Sequence, residues 1–308
     1  MGAAMFTSRQ VVPTAAWVML RRLRYAVATV RGSNILANEK IGVPWQRDWQ
    51  VVRVVKRVEA DPPQKRRTDS AGRELWHTAA GDFWTPPGVS ERFVRMITIE
   101  ALSDIYHFAA QIWKHAPVVL DCGANVGIFS RMALDLGAGK VVCCEPSPEA
   151  AACLRLTFAA EIQEGRLAVV QKALWDKTET LEFSITSRTN PGTHRVVTES
   201  QPDTISVEAT TVDRIVTELT LPRVDFIKMD IEGAECRALR GATTTVKNSR
   251  PLIGMGTEHT KDIAANNELL IKTLREIEPS YRVLCTEVHP EQSPSRGLVL
   301  TPYSLFFY

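Results

Sequence analysis

From Pro117 onward the chain alternates short apolar runs with stretches whose apolar residues recur every three or four positions. "VVLDCG", starting at Val118, is a continuous apolar run closed by an acid, the pattern of a buried strand. "VGIFSRMALDLG" then has helical spacing and stops at Gly137. "KVVCCEP" reads as a second strand. "SPEAAACLRLTFAAEI" reads as a second helix, with Ser147 as N-cap, Pro148 at the first helical position and Glu149 in the first turn. "RLAVVQKAL", "VDFIKMD" and "PLIGMGTEH" supply a third, fourth and fifth strand, and "AECRALRGATTTV" and "NNELLIKTLREIEP" supply helices. "LEFSIT" and "ISVEATTV" form a strand pair around a polar loop. "YRVLCTEV" and "LVLTPYSLFFY" have no helix between them, which predicts a terminal hairpin and one antiparallel strand. The alternation predicts an α/β fold, a mainly parallel sheet with helices on both faces.

Upstream the pattern changes. "VPWQRDWQVVRVVKRVEADPPQKRR" reads as a short β-rich run followed by a Pro-broken basic turn. "RELWHTAAGDFWTPPG" reads as a hairpin with Gly81 and Asp82 near its bend. "SERFVRMITIEALSDIYHFAAQIWK" has long helical periodicity behind Ser90 as N-cap. In "AAWVMLRRLRYAVATVRG", Ala16, Met19, Leu20, Leu23, Val27 and Val30 share one helical face. The expected organisation is an amphipathic helix over residues 1–30, an extension over 31–115 and a main domain over 116–308. Arginines interrupt the first apolar stretch too early for a membrane span or a secretory signal. Two readings of that helix stay open: packing on its own protein, or lying on an anionic membrane surface.

Composition narrows little. The sequence is 44% hydrophobic and 23% charged, with a formal net charge of +2, which gives no reason to expect a nucleic-acid partner. The six cysteines form no C-x-x-C pair, and several sit in apolar runs. The expectation is a reduced, cytoplasmic protein without a zinc site.

Candidate chemistry gathers where strands end, since ligands of open α/β sheets bind at the carboxyl ends of the strands. Asp121 closes the first strand, and Gly123, Ala124 and Gly127 allow a tight turn after it. Glu145 closes the second strand, where an acid suits the two hydroxyls of a ribose. The turn lacks the G-x-G-x-x-G spacing of a dinucleotide site, and its flanking acid would repel a pyrophosphate. S-adenosylmethionine (SAM) has a ribose, an ammonium and no phosphate, and fits that charge pattern. Asp230, Glu232 and Glu235 crowd the end of the fourth strand. Asp230 closes an apolar strand and is expected in the cleft; the close pair Asp230 and Glu232 could also hold a divalent cation.

"LDCGANVGIFS", "EPSPEAAACLRLTF", "QKALWD" and above all "VDFIKMDIEGAECRALRGA" resemble the FkbM-type SAM-dependent methyltransferases, over roughly Val118 to the end. The resemblance implies a class I, Rossmann-like fold of seven strands, and O-methylation of a hydroxyl on a sugar, polyketide or related metabolite. It places Asp121, Gly123, Asn125 and Gly127 along the methionine part of SAM, Glu145 on the ribose, and Lys172 and Ala173, at the end of the third strand, by the adenine. The family requires no metal, so none is expected. Among the six histidines (His77, His107, His115, His194, His259 and His289), His259 follows the fifth strand beside Glu258. There a neutral imidazole is well placed as general base, with Asp230 orienting substrate or cofactor. "GMGTEH" departs from the family's apolar run at this point. Trp76, Phe83 and Trp84 are candidates to cover the acceptor pocket or simply to pack. Two rival readings are a catalytically silent SAM- or nucleotide-binding protein and an NAD-dependent oxidoreductase.

Overall fold

The computed structural model describes residues 40–41, 44–103, 112–185, 194–197, 203–260, 262–293 and 297–308. The expected helix over residues 1–30 lies outside them. The first described elements are β1 (Lys40–Ile41), α1 (Pro44–Ala60), β2 (Gln64–Thr68), β3 (Glu74–Thr78), β4 (Gly81–Thr85) and α2 (Glu91–Ser103). A 3-10 turn at Ile112–His115 leads into β5 (Val118–Cys122), α3 (Ile128–Asp135), β6 (Lys140–Cys144), α4 (Pro148–Thr157), α5 (Ala159–Gln163) and β7 (Leu167–Val170). Then come β8 (Ala173–Leu174), β9 (Glu179–Ser184), β10 (Arg195–Val197), β11 (Thr204–Thr210) and α6 (Val212–Glu218). The remainder is β12 (Phe226–Met229), α7 (Glu235–Arg240), α8 (Thr243–Ser249), β13 (Leu252–Gly256), α9 (Ile263–Ile277), β14 (Val283–Ser293) and β15 (Gly297–Phe307).

The main sheet has the order β1-β14-β15-β13-β12-β5-β6-β7. Two-residue β1 aside, these are the strands expected from the sequence. β15 runs antiparallel to both β13 and β14, whereas β13, β12, β5, β6 and β7 are parallel neighbours. Both faces are buried, which is why the strands read as unbroken apolar runs. Leu120, Cys122, Ile227, Met229, Ile253 and Met255 pack on one side with Leu270 and Leu274 of α9. Val119, Val141, Cys143 and Phe226 pack on the other with Phe129 of α3 and Phe158. All six cysteines are free thiols. Among the described residues no helix is long and apolar enough to cross a membrane.

Three expectations change. The run read as β-rich is helix α1, because Val52, Val55 and Val58 recur at helical spacing and are all buried. The third strand ends at Val170; after a turn, Ala173 belongs to β8 in a separate sheet of order β10-β9-β11-β8. "AECRALRGATTTV" is two helices, α7 and α8, broken at Gly241, where a Cβ would lie 2.1 Å from the carbonyl oxygen of Trp175. Of the two readings of Trp76, Phe83 and Trp84, their burial favours packing. Trp76 and Trp84 form a core with Phe93, Val94 and Ile97 of α2, Val126 and Cys153, and the Trp84 amide donates to Thr157 Oγ1 of α4 at 3.0 Å. The expected hairpin is β3–β4, and Ser90 caps α2 by accepting from the amide of Phe93 at 3.1 Å.

Candidate active site

The carboxyl ends of β6, β5, β12 and β13, four neighbours in the sheet, bring most of the expected residues to one edge. After β5 the chain turns through residues 123–127. The amides of Gly123 and Ala124 donate to the carbonyl of Cys144 at 2.9 and 3.1 Å, and that of Gly127 donates to Ala124 at 2.8 Å. The amide of Asn125 donates to Glu145 Oε2 at 2.9 Å. Four amides of this turn are therefore engaged within the protein and are not presented to a phosphate. The glycines serve the fold as well. A Cβ on Gly127 would stand 2.3 Å from the Phe158 ring, and φ is 79° at Gly123 and 90° at Gly127.

Glu145 is the junction of this turn with the second strand. Its Oε1 accepts from the amide of Ser147 at 2.8 Å and its Oε2 from Asn125, so each oxygen keeps a lone pair for a ligand hydroxyl. Burial pushes its carboxyl up to about 7, against the two amide bonds that hold it down. Asn125, at a left-handed φ of 49°, has a buried side-chain oxygen with no hydrogen-bond partner. An orphaned acceptor beside Glu145 points to a ligand with hydrogen-bond donors.

Asp121 lies deeper. It is fully buried, accepts from Ser130 Oγ at 2.6 Å, and pairs with the Lys228 ammonium at 3.4 Å. Lys228 sits in the middle of β12 and is itself buried. It donates to the carbonyl of Gly123 at 2.7 Å and stands 3.8 Å from Asp230 Oδ2. Burial lowers its pKa, but the fields of Asp121 and Asp230 prevail and raise it, so the ammonium stays charged. The sequence reading missed Lys228; its signal was a lysine inside an apolar strand.

Beyond β12, Asp230 Oδ1 meets His259 Nε2 at 2.7 Å, and Glu232 Oε2 meets His259 Nδ1 at 3.1 Å. Glu258 Oε2 is 3.9 Å from Nε2. Burial opposes charge on this ring, yet its bonds to Asp230 and Glu232 and the fields of Asp230 and Glu258 hold its pKa well above the usual histidine value. Both carboxylates therefore favour the charged ring over the neutral imidazole expected of a general base. Glu232, at a φ of 55°, has its pKa raised by burial, against His259 and, more weakly, Arg195 of β10. The turn is tied from beneath: Glu235 Oε1 accepts from the amides of Ile231 and Gly233 at 3.0 and 3.3 Å. Gly256 gives the pair room, for its Cβ would lie 3.1 Å from Asp230 Oδ1 and 3.4 Å from His259 Nε2.

Other residues fall elsewhere. Lys172 follows β7 and pairs with exposed Glu208 of β11 at 3.0 Å, and Ala173 packs in β8 rather than closing the third strand. His194 stacks edge-on against Phe183 in the smaller sheet, and His77 bonds Asp82 within the β3–β4 hairpin. His115 ends the 3-10 turn, His289 lies in β14, and His107 falls outside the described residues.

A parallel sheet with one reversed strand near its end, and acids where its first, second and fourth parallel strands stop, define the Rossmann-like architecture of a class I methyltransferase. Residues 121–282, over half of the chain, match the methyltransferase FkbM domain family, and the chain belongs to that family. It is 26% identical to the 2-O-methyltransferase NoeI of Sinorhizobium fredii, over 56% of this chain and 74% of that relative. It is 22% identical to the hexuronic acid methyltransferase AglP of Haloferax volcanii, over 51% of this chain and 63% of the relative, less than two thirds of its length. Among solved structures it is similar to methyltransferase FkbM from Methylobacillus flagellatus KT, with 17% identity and a TM-score of 0.45, over 72% of this chain and 56% of the other.

Proposed function

We propose that the protein moves the methyl group of SAM to a hydroxyl oxygen of a sugar-like acceptor. The observation behind this reading is the pairing, on one sheet edge, of a ribose-type acid with a carboxylate–histidine array. Family membership supports methyl transfer, and the relatives named as a 2-O-methyltransferase and a hexuronic acid methyltransferase support a sugar hydroxyl over other acceptors. The residues present fit SAM: Glu145 for the ribose hydroxyls, the orphaned Asn125 oxygen for an ammonium or hydroxyl, and the turn at Gly123 and Gly127 along the methionine part. Asp121 shapes that turn through Lys228 and Ser130. Lys172, next to the end of β7, remains the candidate for the adenine side. The engaged turn amides disfavour a dinucleotide, which needs them free for its pyrophosphate.

Bound SAM supplies an activated methyl on a sulfonium; the chain holds it, excludes water, and lines up the hydroxyl. The array of Asp230, His259 and Glu232 contains two carboxylates and one ring whose nitrogens both face carboxylates. The ring has no vacant nitrogen, so the hydroxyl's proton passes to a carboxylate of the array, and His259 orients that carboxylate. Stabilisation by S-adenosylhomocysteine but not by NAD, measured by thermal unfolding, tests the cofactor assignment; the reverse result supports an oxidoreductase.

A further inference from the structure

Asp230, Glu232 and His259 each offer one ligand atom, and these atoms all lie within 4.8 Å of one another. We infer that the three form a binding site for a single divalent cation of the Mn2+ or Mg2+ kind. Two carboxylates and an imidazole are the donor set such ions accept. The donors come from places the fold already fixes. Asp230 follows β12, His259 follows β13, and Glu232 sits on a turn whose amides Glu235 binds from beneath.

One imidazole faces three carboxylates, at 2.7 Å for Asp230, 3.1 Å for Glu232 and 3.9 Å for Glu258. The hydroxyl oxygen of Thr260, next in the chain to His259, is buried without a hydrogen-bond partner. Its methyl lies against the same turn, 4.0 Å from where a Cβ of Gly233 would be. A buried hydroxyl without a partner is unusual in a finished network and points to a missing donor or ion. A metal bound at one ring nitrogen replaces the proton there, which leaves to solvent. The other N–H keeps its carboxylate, the arrangement that orients histidine ligands in metal sites. The metal's role, as distinct from its site, rests on the methyl-transfer reading. It would polarise the acceptor hydroxyl, whose proton would pass to the neighbouring Glu258.

The test uses the full chain, stripped with a chelator and titrated with Mn2+ alone while free Mn2+ is followed by electron paramagnetic resonance. The expected result is one ion per chain with a dissociation constant below about 100 μM, competed by Mg2+. Glu232→Gln and Asp230→Asn should each weaken it by at least about tenfold. Circular dichroism and thermal unfolding show whether each variant is folded, and His259→Gln serves if either is not. No binding below about 1 mM, or equal binding by folded variants, overturns the site. Because the titration contains neither SAM nor acceptor, it stands or falls apart from methyl transfer. If Mn2+ binds but the chelator-stripped enzyme turns over at full rate, the site stands and its role in the reaction falls.

Discussion

The carbonyl oxygen of Asp230 lies 1.9 Å from the position that a Cβ on Gly123 would take. The turn after β5 and the turn after β12 are thus in backbone contact. Gly123→Ala must separate them and also strain a residue at a φ of 79°. The strain alone costs about 1–3 kcal/mol. Urea denaturation should show at least that loss. A variant as stable as the wild type would contradict the close approach.

Lys228→Met should cost more. It leaves the fully buried Asp121 without its cation, and breaking a buried pair typically costs about 3–5 kcal/mol. Adding Asp121→Asn to Lys228→Met should restore part of the loss, because the unpaired charge disappears with it. Strictly additive losses in the double-mutant cycle would mean that the two side chains do not act together.

Most of the sheet was legible because both its faces are buried. "VVLD", "VVCCE" and "VDFIKMD" have no polar side to confuse the period, and the acids that end them mark the ligand edge. The extension was harder to read. The valine pairs of α1 look like a strand until Val52, Val55 and Val58 are seen to share a face. Ala173 was misplaced because no local signal separates the end of β7 from β8; only pairing with Ala209 of β11 reveals it. The reach of Lys228 and the partners of His259 depend on residues distant in sequence: Asp121 and Gly123 for the first, Asp230 and Glu232 for the second. Spacing along the chain could name His259 but could not say that its nitrogens were taken.

Glu145 gives a pH dependence with a definite sign. Burial pushes its carboxyl up to about 7, and ribose hydroxyls bind best to the ionised form. Below pH 7 the proton must leave before the cofactor binds, so affinity should rise with pH. S-adenosylhomocysteine should bind about tenfold more weakly at pH 6 than at pH 8. Calorimetry on Glu145→Gln should give weaker binding and a flattened profile. An unchanged profile in that variant would remove Glu145 from the ribose site.

Gly256→Ala separates positioning from cofactor binding. The added methyl would press on Asp230 Oδ1 and His259 Nε2, while Glu145 and the turn after β5 belong to other strands. S-adenosylhomocysteine affinity should stay within about twofold while turnover falls by about tenfold or more, as a small misplacement at a reacting centre produces. Equal losses in both would place the cofactor against β13 instead.

The most direct measurement is methyl transfer itself. The full chain is incubated with SAM carrying a labelled methyl group and a panel of glycosides that includes uronic acids, with and without Mn2+, and the product is located by mass spectrometry and NMR. The expected product is an O-methyl ether on one sugar hydroxyl, lost in Asp230→Ala. Transfer of the label to nitrogen or carbon, or undiminished O-methylation by a folded Asp230→Ala variant, would contradict it.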